Sequence, residues 1–397
     1  MNRSSKTAAI ILAAGFSRRM GRFKPLLNLA GMTVLDRVVS LYRNAGVTDI
    51  RVVTGFRSQA IRSALPAGTV SVVHNPDHEK GMFSSVLAGV KALAPDVRSF
   101  FVHPVDIPLV RPHTPAMLMA AFDGHPPPVV YPVFDDRRGH PPLVHGRLRA
   151  AIGTHDGSGG LRALLGRFDA TALDVNVADE GILLDLDTPD DFRHLSTRLE
   201  SAACLTEREC RMLMEKVCGL PGPIIDHCRR VAQVGQSLAR AVNAATGART
   251  VDVSMVRSAA RVHDVARLDR HHAAAGARLL EKMGFPAMAE IVAVHMDINV
   301  TASSPLDEAQ IVYLADKLVA GNRVVSLAQR FAAKLEKYGH QPEIAANIDR
   351  RRRAALAIQG KVERIAGKAV DQILKTARTG EGALYAQDSE ILADRRP

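Results

Sequence analysis

Residues 8–24 read AAIILAAGFSRRMGRFK, in which an apolar run passes directly into a stretch rich in glycine and positive charge. The apolar run has the length and composition of a buried strand. In the stretch after it, Gly15 and Gly21 allow backbone N–H groups to approach a ligand closely, and Arg19 and Lys24 can neutralise negative charge. A strand that leads into such a turn predicts a phosphate-binding loop at the carboxyl edge of a parallel sheet.

Further apolar segments of strand length follow up to about residue 192 and alternate with helical patterns. With the first, they are AAIIL (8–12), DIRVVTG (49–55), VSVVHN (70–75), SFFVHPVD (99–106), PVVYPVF (128–134) and ILLDLD (182–187). Several are apolar on both faces, which is typical of strands covered by helices on each side. We therefore predict an α/β Rossmann-like domain with a mostly parallel sheet and helices on both faces.

After about residue 195 the strand signals fade, and the chain becomes rich in alanine with helical periodicity. This change predicts an all-α second domain. The expected boundaries are a first domain at 1–197, a helical connection at 198–222, a second domain at 223–335, a helical extension at 336–378 and a tail at 379–397. The tail lacks apolar periodicity and is expected to be flexible.

The formal net charge of +11 invites a nucleic-acid hypothesis. Aromatic residues make up only 4% of the 397 residues and tryptophan is absent, so there is little material for base stacking. Phosphate-bearing small molecules account for the charge equally well, and no nucleic-acid partner is expected.

No apolar run approaches the roughly 18 to 20 residues that span a bilayer. The first residues run into the predicted strand rather than a cleavage site, so we expect a cytoplasmic protein without membrane association.

The pattern of the first loop resembles the signature of the nucleotidyltransferases related to the molybdenum-cofactor guanylyl- and cytidylyltransferases, the MobA-like NTP transferases. The matching positions, which the resemblance implies bind the nucleotide, are Leu12, Ala13, Ala14, Gly15, Ser17, Arg19, Gly21 and Lys24. The resemblance also implies that Arg19 and Lys24 act in catalysis.

Four later segments appear in the order that this family has. NPDHEKGMFSSVLAG (75–89) resembles its segment beside the nucleotide, HPVDIPLV (103–110) its metal-binding D-x-P motif, RRGHPPLV (137–144) its G-H-P turn near the acceptor pterin, and LLDLDTPDDF (183–192) its closing stretch. The residues implied are Gly81, Ser84 and Ser85 for the nucleotide, Asp106 for catalysis and for Mg²⁺, Gly139, His140 and Pro141 for the acceptor, and Asp185 or Asp187 as a second metal ligand.

This resemblance covers about the first 195 residues and implies nucleotidyl transfer. That reaction brings two anions together, so a metal ion and basic side chains must screen them while pyrophosphate leaves. Ala14 before Gly15 resembles the cytidylyl branch, since the guanylyl branch usually has two adjacent glycines. We therefore expect CTP and molybdopterin as substrates, and molybdoenzyme maturation factors as further partners.

The sequence departs from the family pattern at one motif, and two alternative functions stay open. Val105 and Ile107 flank Asp106 where the cytidylyl branch commonly has Gly and Gln, which leaves the base and the acceptor open. A nucleotidyltransferase for a sugar phosphate or phosphonate is one alternative. A non-catalytic scaffold that carries and inserts the cofactor is the other.

In the helical half, His227, the pair His263-Asp264 and Asp316 lie on separate predicted helices, which can converge to enclose a metal ion. Arg267 follows His263 by four residues and is expected on the same helix face. The order H…HD…D, with VHDVARL (262–268) and VYLADKLVAG (312–321), resembles the HD superfamily of metal-dependent phosphohydrolases.

This second resemblance implies roles for seven positions in all. It implies one or two divalent metals such as Mn²⁺ or Fe²⁺, Asp264 as a catalytic bridging ligand, Arg267 as the catalytic cation for the substrate phosphate, and as metal ligands His227, His263, Asp264, His272, His295 and Asp316. A nucleotide, a phosphate monoester and a signalling dinucleotide are all open as substrates. A regulatory domain that binds metal without turnover is the alternative.

Overall fold

The computed structural model describes residues 6–375 apart from residues 67, 69, 125 and 302. The chain divides into two compact units, Met1–Ala202 and Ala203–Pro397. The tail predicted at 379–397 lies outside the described residues. None of the helices in the described part of the chain combines the length and the apolar character needed to cross a membrane.

The first unit is built on one eight-stranded sheet with the strand order β10-β7-β9-β6-β1-β4-β5, in which β8 also pairs with β7. The eight strands of this sheet are β1 (Thr7–Ala13), β4 (Asp49–Thr54), β5 (Ser71–His74), β6 (Ser99–Pro104), β7 (Val129–Phe134), β8 (Arg137–Arg138), β9 (Leu143–His145) and β10 (Leu173–Asn176). Strands β2 (Asn28–Leu29) and β3 (Met32–Thr33) pair with each other outside it. The helices are α1 (Val34–Asn44), α2 (Ser58–Ala64), α3 (Met82–Lys91), α4 (His113–Gly124), α5 (Arg149–Thr154), α6 (Gly160–Gly166) and α7 (Pro189–Glu200).

Strand β1 lies in the middle of this sheet. It pairs in parallel with β4 on one side and β6 on the other, and β9 runs antiparallel between β6 and β7. Its apolar side chains are buried on both faces, and Gly89 of α3 packs so close to Ile10 that a Cβ there would overlap that side chain. The predicted Rossmann-like, mostly parallel sheet is confirmed. The loops after β1 and β6 consequently leave the same edge of the sheet, where ligands of such folds bind.

One predicted strand is wrong. Instead of a strand, the chain forms a 3-10 turn at Glu180–Leu183, and the residues from 184 to 187 lie outside the sheet. The N–H of Leu186 donates to the Asp106 carbonyl at 2.7 Å, so this segment bonds to the loop after β6 rather than to a neighbouring strand. The sequence pattern also does not indicate β9 and β10, which are only three and four residues long.

The second unit is helical, as predicted, apart from a short hairpin. Its elements are α8 (Glu207–Met212), a π-helical turn (Leu213–Val217), α9 (Gly222–Thr246), α10 (Val253–Val262), α11 (His272–Lys282), α12 (Pro286–Val294), α13 (Glu308–Lys317), β11 (Val319–Ala320), β12 (Arg323–Val324), α14 (Leu327–Tyr338) and α15 (Pro342–Ala366). Helix α14 spans the boundary expected between residues 335 and 336.

One helix prediction in this unit is wrong. The helix expected to carry His263, Asp264 and Arg267 ends at Val262, and the following residues form turns. The Nδ1 of His263 bonds to the Ala260 carbonyl at 2.8 Å, and the N–H of Arg267 donates to the Asp264 carbonyl at 2.9 Å, so shorter-range bonds replace the helical ladder. The long carboxy-terminal helix, α15, ends before Gly367, which has a φ of +65°.

Candidate active sites in the two units

The loop after β1 is closed by one side-chain bond. The hydroxyl of Ser17 accepts from the N–H of Lys24 at 3.0 Å, which draws the two ends of the predicted phosphate loop together. Gly21 has a φ of +68°, and Ser17 also adopts a left-handed conformation with a φ of +57°. The glycine tolerates this conformation without strain, whereas the serine is held in it by its bond to the loop.

Lys24 lies between two carboxylates at the edge of the sheet. Its side chain is only 10% exposed, and its Nζ is 2.6 Å from Asp187 Oδ1 and 3.3 Å from Asp106 Oδ2. Arg19 reaches the other oxygen of Asp187 at 2.9 Å. The structure thus brings Arg19, Lys24, Asp106 and Asp187 into one cluster. In such a cluster the carboxylates can instead bind a metal ion, and the cations can instead bind phosphate groups.

The turn that carries Asp106 is held by a buried histidine that the sequence pattern does not single out. His103 Nε2 lies 2.9 Å from the Ile107 carbonyl, and its Nδ1 lies 2.9 Å from the Tyr42 hydroxyl. A carbonyl can only accept, so Nε2 donates to it and the Tyr42 hydroxyl donates to Nδ1. Burial lowers the pKa of His103 to about 3, so the imidazole stays neutral in this tautomer.

The closing stretch predicted to supply a second metal ligand brings Asp185 and Asp187 beside Asp106. Asp191 fixes the backbone there, because its carboxylate accepts from the N–H groups of Asp187 and Thr188 at 3.1 and 2.8 Å. Partial burial, together with the charges of Asp106 and Asp187, raises the pKa of Asp185. Three carboxylates that repel one another at one sheet edge favour a divalent cation.

The predicted acceptor turn, Gly139-His140-Pro141, lies against the same region. A Cβ on Gly139 would lie 2.5 Å from the Ile182 carbonyl, so only glycine fits this close approach. Burial lowers the pKa of His140, while the charge of nearby Asp106 opposes that shift. The Nδ1 of His140 is buried without a hydrogen-bond partner in the described part of the chain. A neutral, unpaired imidazole beside Asp106 can bind a polar substrate group.

The predicted nucleotide segment forms the beginning of α3. Gly81 precedes the helix with a φ of +100°, a conformation that disfavours side chains. Asn75 donates from its side-chain nitrogen to the hydroxyls of Ser84 and Ser85 at 2.9 and 3.0 Å. The sequence pattern does not indicate this role for Asn75, because the bond joins a strand end to a helix nine and ten residues later.

In the second unit, the turns after α10 meet α9, α11, α12 and α13 at a cluster of histidines and aspartates. Its members are His227, His263, Asp264, His272, His295 and Asp316, all of them predicted ligands. Asp264 Oδ1 is 3.4 Å from Nε2 of both His272 and His295, and its Oδ2 is 3.7 Å from His263 Nε2. Asp316 Oδ1 is 3.1 Å from His227 Nε2. The two oxygens of Asp264 therefore face two different groups of nitrogens.

Backbone carbonyls orient three of these imidazoles. The Nδ1 atoms of His227, His263 and His295 lie 2.7 to 2.8 Å from the carbonyls of Gly321, Ala260 and Val292. Because a carbonyl can only accept, each Nδ1 carries a proton, and the Nε2 atoms of His263 and His295 can present a lone pair. Metal-binding histidines usually have their other ring nitrogen hydrogen-bonded in this way. The Nε2 of His227 instead lies 3.1 Å from Asp316 Oδ1 and donates to it; although burial opposes the charged form, the bonds to Asp316 and Gly321 raise the pKa of His227.

The electrostatics of the cluster suit a cation. Burial lowers the pKa of His263 to about 4. Burial opposes ionisation of Asp264 and Asp316, yet interactions with the histidines and with Arg267 and Lys317 hold both pKa values below the usual range. Asp264 Oδ1 and His295 Nε2 are buried and lack a hydrogen-bond partner within the described residues. The neutral imidazole of His263, the ionised carboxylates and these orphaned atoms together fit divalent metal ions.

Three further side chains border the cluster. Arg267, although it is not on the predicted helix, still lies 3.6 Å from Asp264 Oδ1. Lys317 is buried and donates to Asp316 Oδ2 at 2.6 Å and to the His295 carbonyl at 2.9 Å, which ties α13 to the end of α12. Cys228 groups with His263 and Asp264 as a possible ligand set. The sequence pattern does not indicate Lys317 or Cys228, since each follows a predicted ligand directly and has no motif of its own.

Two protein-family models match the chain. One described as the MobA-like NTP transferase domain matches residues 9–172, and one described as the HD domain matches residues 224–321. Molybdenum cofactor cytidylyltransferase from Escherichia coli (strain K12) is 32% identical over 187 residues, which are 46% of this chain and 92% of that protein.

Two further matches each cover about half of the chain. Nicotine blue oxidoreductase from Paenarthrobacter nicotinovorans is 30% identical over 193 residues, which are 47% of this chain and 94% of that protein. The crystal structure of Rv0371c from Mycobacterium tuberculosis H37Rv is 25% identical with a TM-score of 0.44, and the match covers 49% of this chain and 98% of that one.

Proposed function

Because this chain belongs to the MobA-like NTP transferase family through its first half and carries an HD domain in its second, we propose that it transfers CMP from CTP to molybdopterin and releases pyrophosphate. The observation that carries the proposal is the cluster in which Lys24 bridges Asp106 and Asp187 and Arg19 reaches Asp187. These side chains supply what a nucleotide triphosphate and its metal ion require.

Each part of the cluster has a task in this reaction. Asp106 and one of Asp185 and Asp187 would hold Mg²⁺, which when bound would screen the phosphate oxygens. Lys24 and Arg19 leave the carboxylates and pair with phosphoryl oxygens of the nucleotide, while backbone N–H groups of the loop bind the remaining oxygens. Held in this way, the α-phosphorus is open to an oxygen of the acceptor phosphate, and the bond to pyrophosphate breaks as the new P–O bond forms.

The choice of nucleotide and acceptor rests on residues around that cluster. Ala14 in the loop favours CTP, and the Asn75-Ser84-Ser85 network at the beginning of α3 supports a site for the base and ribose. The unpaired Nδ1 of His140, near Asp106, supports an acceptor site at the Gly139-His140-Pro141 turn. One matched relative is named an oxidoreductase, so triphosphate binding must be tested directly.

Calorimetric titration with CTP, GTP, UTP and ATP in the presence of Mg²⁺ tests the nucleotide. CTP is expected to bind most tightly, and Asp106→Ala is expected to abolish the Mg²⁺ dependence of that binding. A preference for UTP or GTP, or no binding at all, contradicts the cytidylyl assignment. Turnover with a sugar 1-phosphate and none with molybdopterin would instead favour a sugar-phosphate nucleotidyltransferase.

We further propose that the second unit is a metal-dependent phosphohydrolase with two divalent cations such as Mn²⁺ or Fe²⁺. The two orphaned atoms, Asp264 Oδ1 and His295 Nε2, support this proposal. Asp264 lies between both nitrogen groups and would be a ligand of the ions, which when bound would lower the pKa of a water molecule. Arg267 binds the substrate phosphate.

Elemental analysis of the wild type and of Asp264→Ala tests this second activity. Bound metal and phosphatase activity are expected to disappear together in the variant. Metal binding that survives the substitution contradicts the ligand role of Asp264. Metal in the wild type without turnover of any phosphate ester would favour the regulatory alternative.

A further inference from the structure

Helix α14 lies outside the matched HD region, yet Lys334 on this helix interacts electrostatically with Asp316 of the metal-binding cluster. Arg330 and Lys334 are four residues apart and so share one face of the helix. Leu327 and Phe331, which are buried, anchor the helix beside that face. Arg330 Nε is itself buried and has no hydrogen-bond partner among the residues described. Helix α14 thus holds the charged side chains of Arg330 and Lys334 where they are partly shielded from water.

The surroundings of these two side chains are rich in positive charge. Lys334 interacts electrostatically with Arg330, Lys317, Arg351 and Asp316. The charge of Lys317 is matched by Asp316 at 2.6 Å. The charge of Arg351 is matched in the same way, by Asp297 at 2.6 Å.

Among the described residues no carboxylate forms an ion pair with Arg330 or Lys334, although the charge of Asp316 partly favours the charged form of Lys334. Burial, together with the neighbouring cations, lowers the pKa of Lys334 to about 8. Two cations that repel each other and have no ion-pair partner of their own reduce stability, and a bound anion would relieve that repulsion.

We propose that Arg330 and Lys334 form an anion-binding pocket beside Asp316, which takes the second phosphoryl group of a phosphoanhydride. The guanidinium supplies a planar fork and the ammonium a point charge, a pair suited to phosphoryl oxygens. One phosphoryl group would lie at the metal-binding cluster and the next at α14. Inorganic pyrophosphate and nucleoside diphosphates share this chemistry. The proposal rests on the phosphohydrolase function only for the identity of the phosphate that reacts. The pocket itself requires no metal.

Site-resolved acetylation of the full chain tests the pocket. The protein is treated with EDTA and exposed to a limiting amine-acetylating reagent at pH 8, and the rate at each lysine is read by mass spectrometry. At a pyrophosphate concentration ten times the dissociation constant, acetylation of Lys334 is expected to slow about tenfold. Lys337, which is exposed on the same helix, is expected to react at an unchanged rate and serves as an internal control.

The Arg330→Gln variant separates binding from simple shielding. Its half-protection concentration at Lys334 is expected to rise by about tenfold, because one charge-assisted partner of the anion is lost. Equal acetylation of Lys334 with and without pyrophosphate overturns the proposal. The titration is repeated with a nucleoside diphosphate in place of pyrophosphate. The compound that the pocket prefers is expected to protect Lys334 from acetylation at the lower concentration.

Turnover of the metal-loaded protein gives a second, separate readout. Lys334→Gln is expected to raise KM for pyrophosphate or a nucleoside diphosphate at least about tenfold more than KM for p-nitrophenyl phosphate. Lys337→Gln is the matched control. Equal effects on anhydride and monoester overturn the proposal. If the metal-loaded protein hydrolyses none of these compounds, the phosphohydrolase proposal fails, while protection of Lys334 still decides whether the pocket exists.

Discussion

Replacing Lys24 with Met is expected to move metal binding and nucleotide binding in opposite directions. In the structure, the Lys24 ammonium lies 2.6 Å from Asp187 and 3.3 Å from Asp106 and is almost completely buried. A cation in that position competes with a metal ion for the same carboxylates. The variant leaves those carboxylates to repel each other, so it is expected to bind Mg²⁺ more tightly when no nucleotide is present.

The size of both effects follows from the contacts of Lys24. A hydrogen bond to a charged partner contributes about 1.5 to 3 kcal/mol, and the 3.3 Å contact lies at the weak end of that range. Loss of the Lys24 charge is expected to weaken binding of CTP with Mg²⁺ by about 2 to 3 kcal/mol, or roughly 30-fold to 150-fold. Relief of the competition is expected to strengthen binding of Mg²⁺ alone by roughly tenfold.

Calorimetry measures both affinities on the same preparation. Arg22→Met is the matched control, because Arg22 is an exposed cation two residues earlier in the same loop. That variant is expected to change neither affinity by more than about threefold, since an exposed charge contributes about 1 kcal/mol or less. Weaker Mg²⁺ binding in Lys24→Met, or unchanged CTP binding, would refute the competition between Lys24 and the metal.

Three further substitutions test separate parts of the structure. His272→Ala is expected to reduce the metal content of the second unit from two ions to one by elemental analysis, whereas the exposed neighbour variant His271→Ala keeps both; equal content in the two variants would show that His272 is not a ligand. Tyr42→Phe leaves His103 Nδ1 buried without a donor and is expected to lower the free energy of unfolding in urea by about 1 to 2 kcal/mol. Lys334→Gln is expected to stabilise the protein by about 1 kcal/mol at pH 7, a figure reduced for partial exposure. Because the folded pKa is depressed from 10.5 to about 8, this gain is full below pH 8 and disappears as the pH rises to 10.5; a gain that persists above that pH would contradict its electrostatic origin.

Local patterns account for the features that could be predicted. The loop after β1 could be predicted because a buried strand, two glycines and flanking cations follow one another directly in the sequence. The order of His227, His263, Asp264 and Asp316 along the chain likewise carries enough information to predict their meeting, although not the distances between them. The alternation of strands and helices indicates the sheet for the same reason.

Features that depend on distant contacts could not be predicted. The apolar segment at 182–187 has the composition of a strand, but its Leu186 N–H bonds to Asp106 rather than to a sheet neighbour. The support of Asp106 through His103 joins residues 61 positions apart, from Tyr42 to His103. Arg330 and Lys334 have no motif at all, and their importance depends on where α14 packs. Each of these needs the folded chain before its partners are known.

Release of pyrophosphate is the most direct test of the phosphate loop and its aspartate. The wild type is incubated with Mg²⁺, molybdopterin and each of the four nucleoside triphosphates, in parallel with Asp106→Ala. Pyrophosphate is expected only when CTP and molybdopterin are both present, and Asp106→Ala is expected to release essentially none. Equal release by Asp106→Ala, or release that depends on another triphosphate, would contradict the proposed cytidylyl transfer at this site.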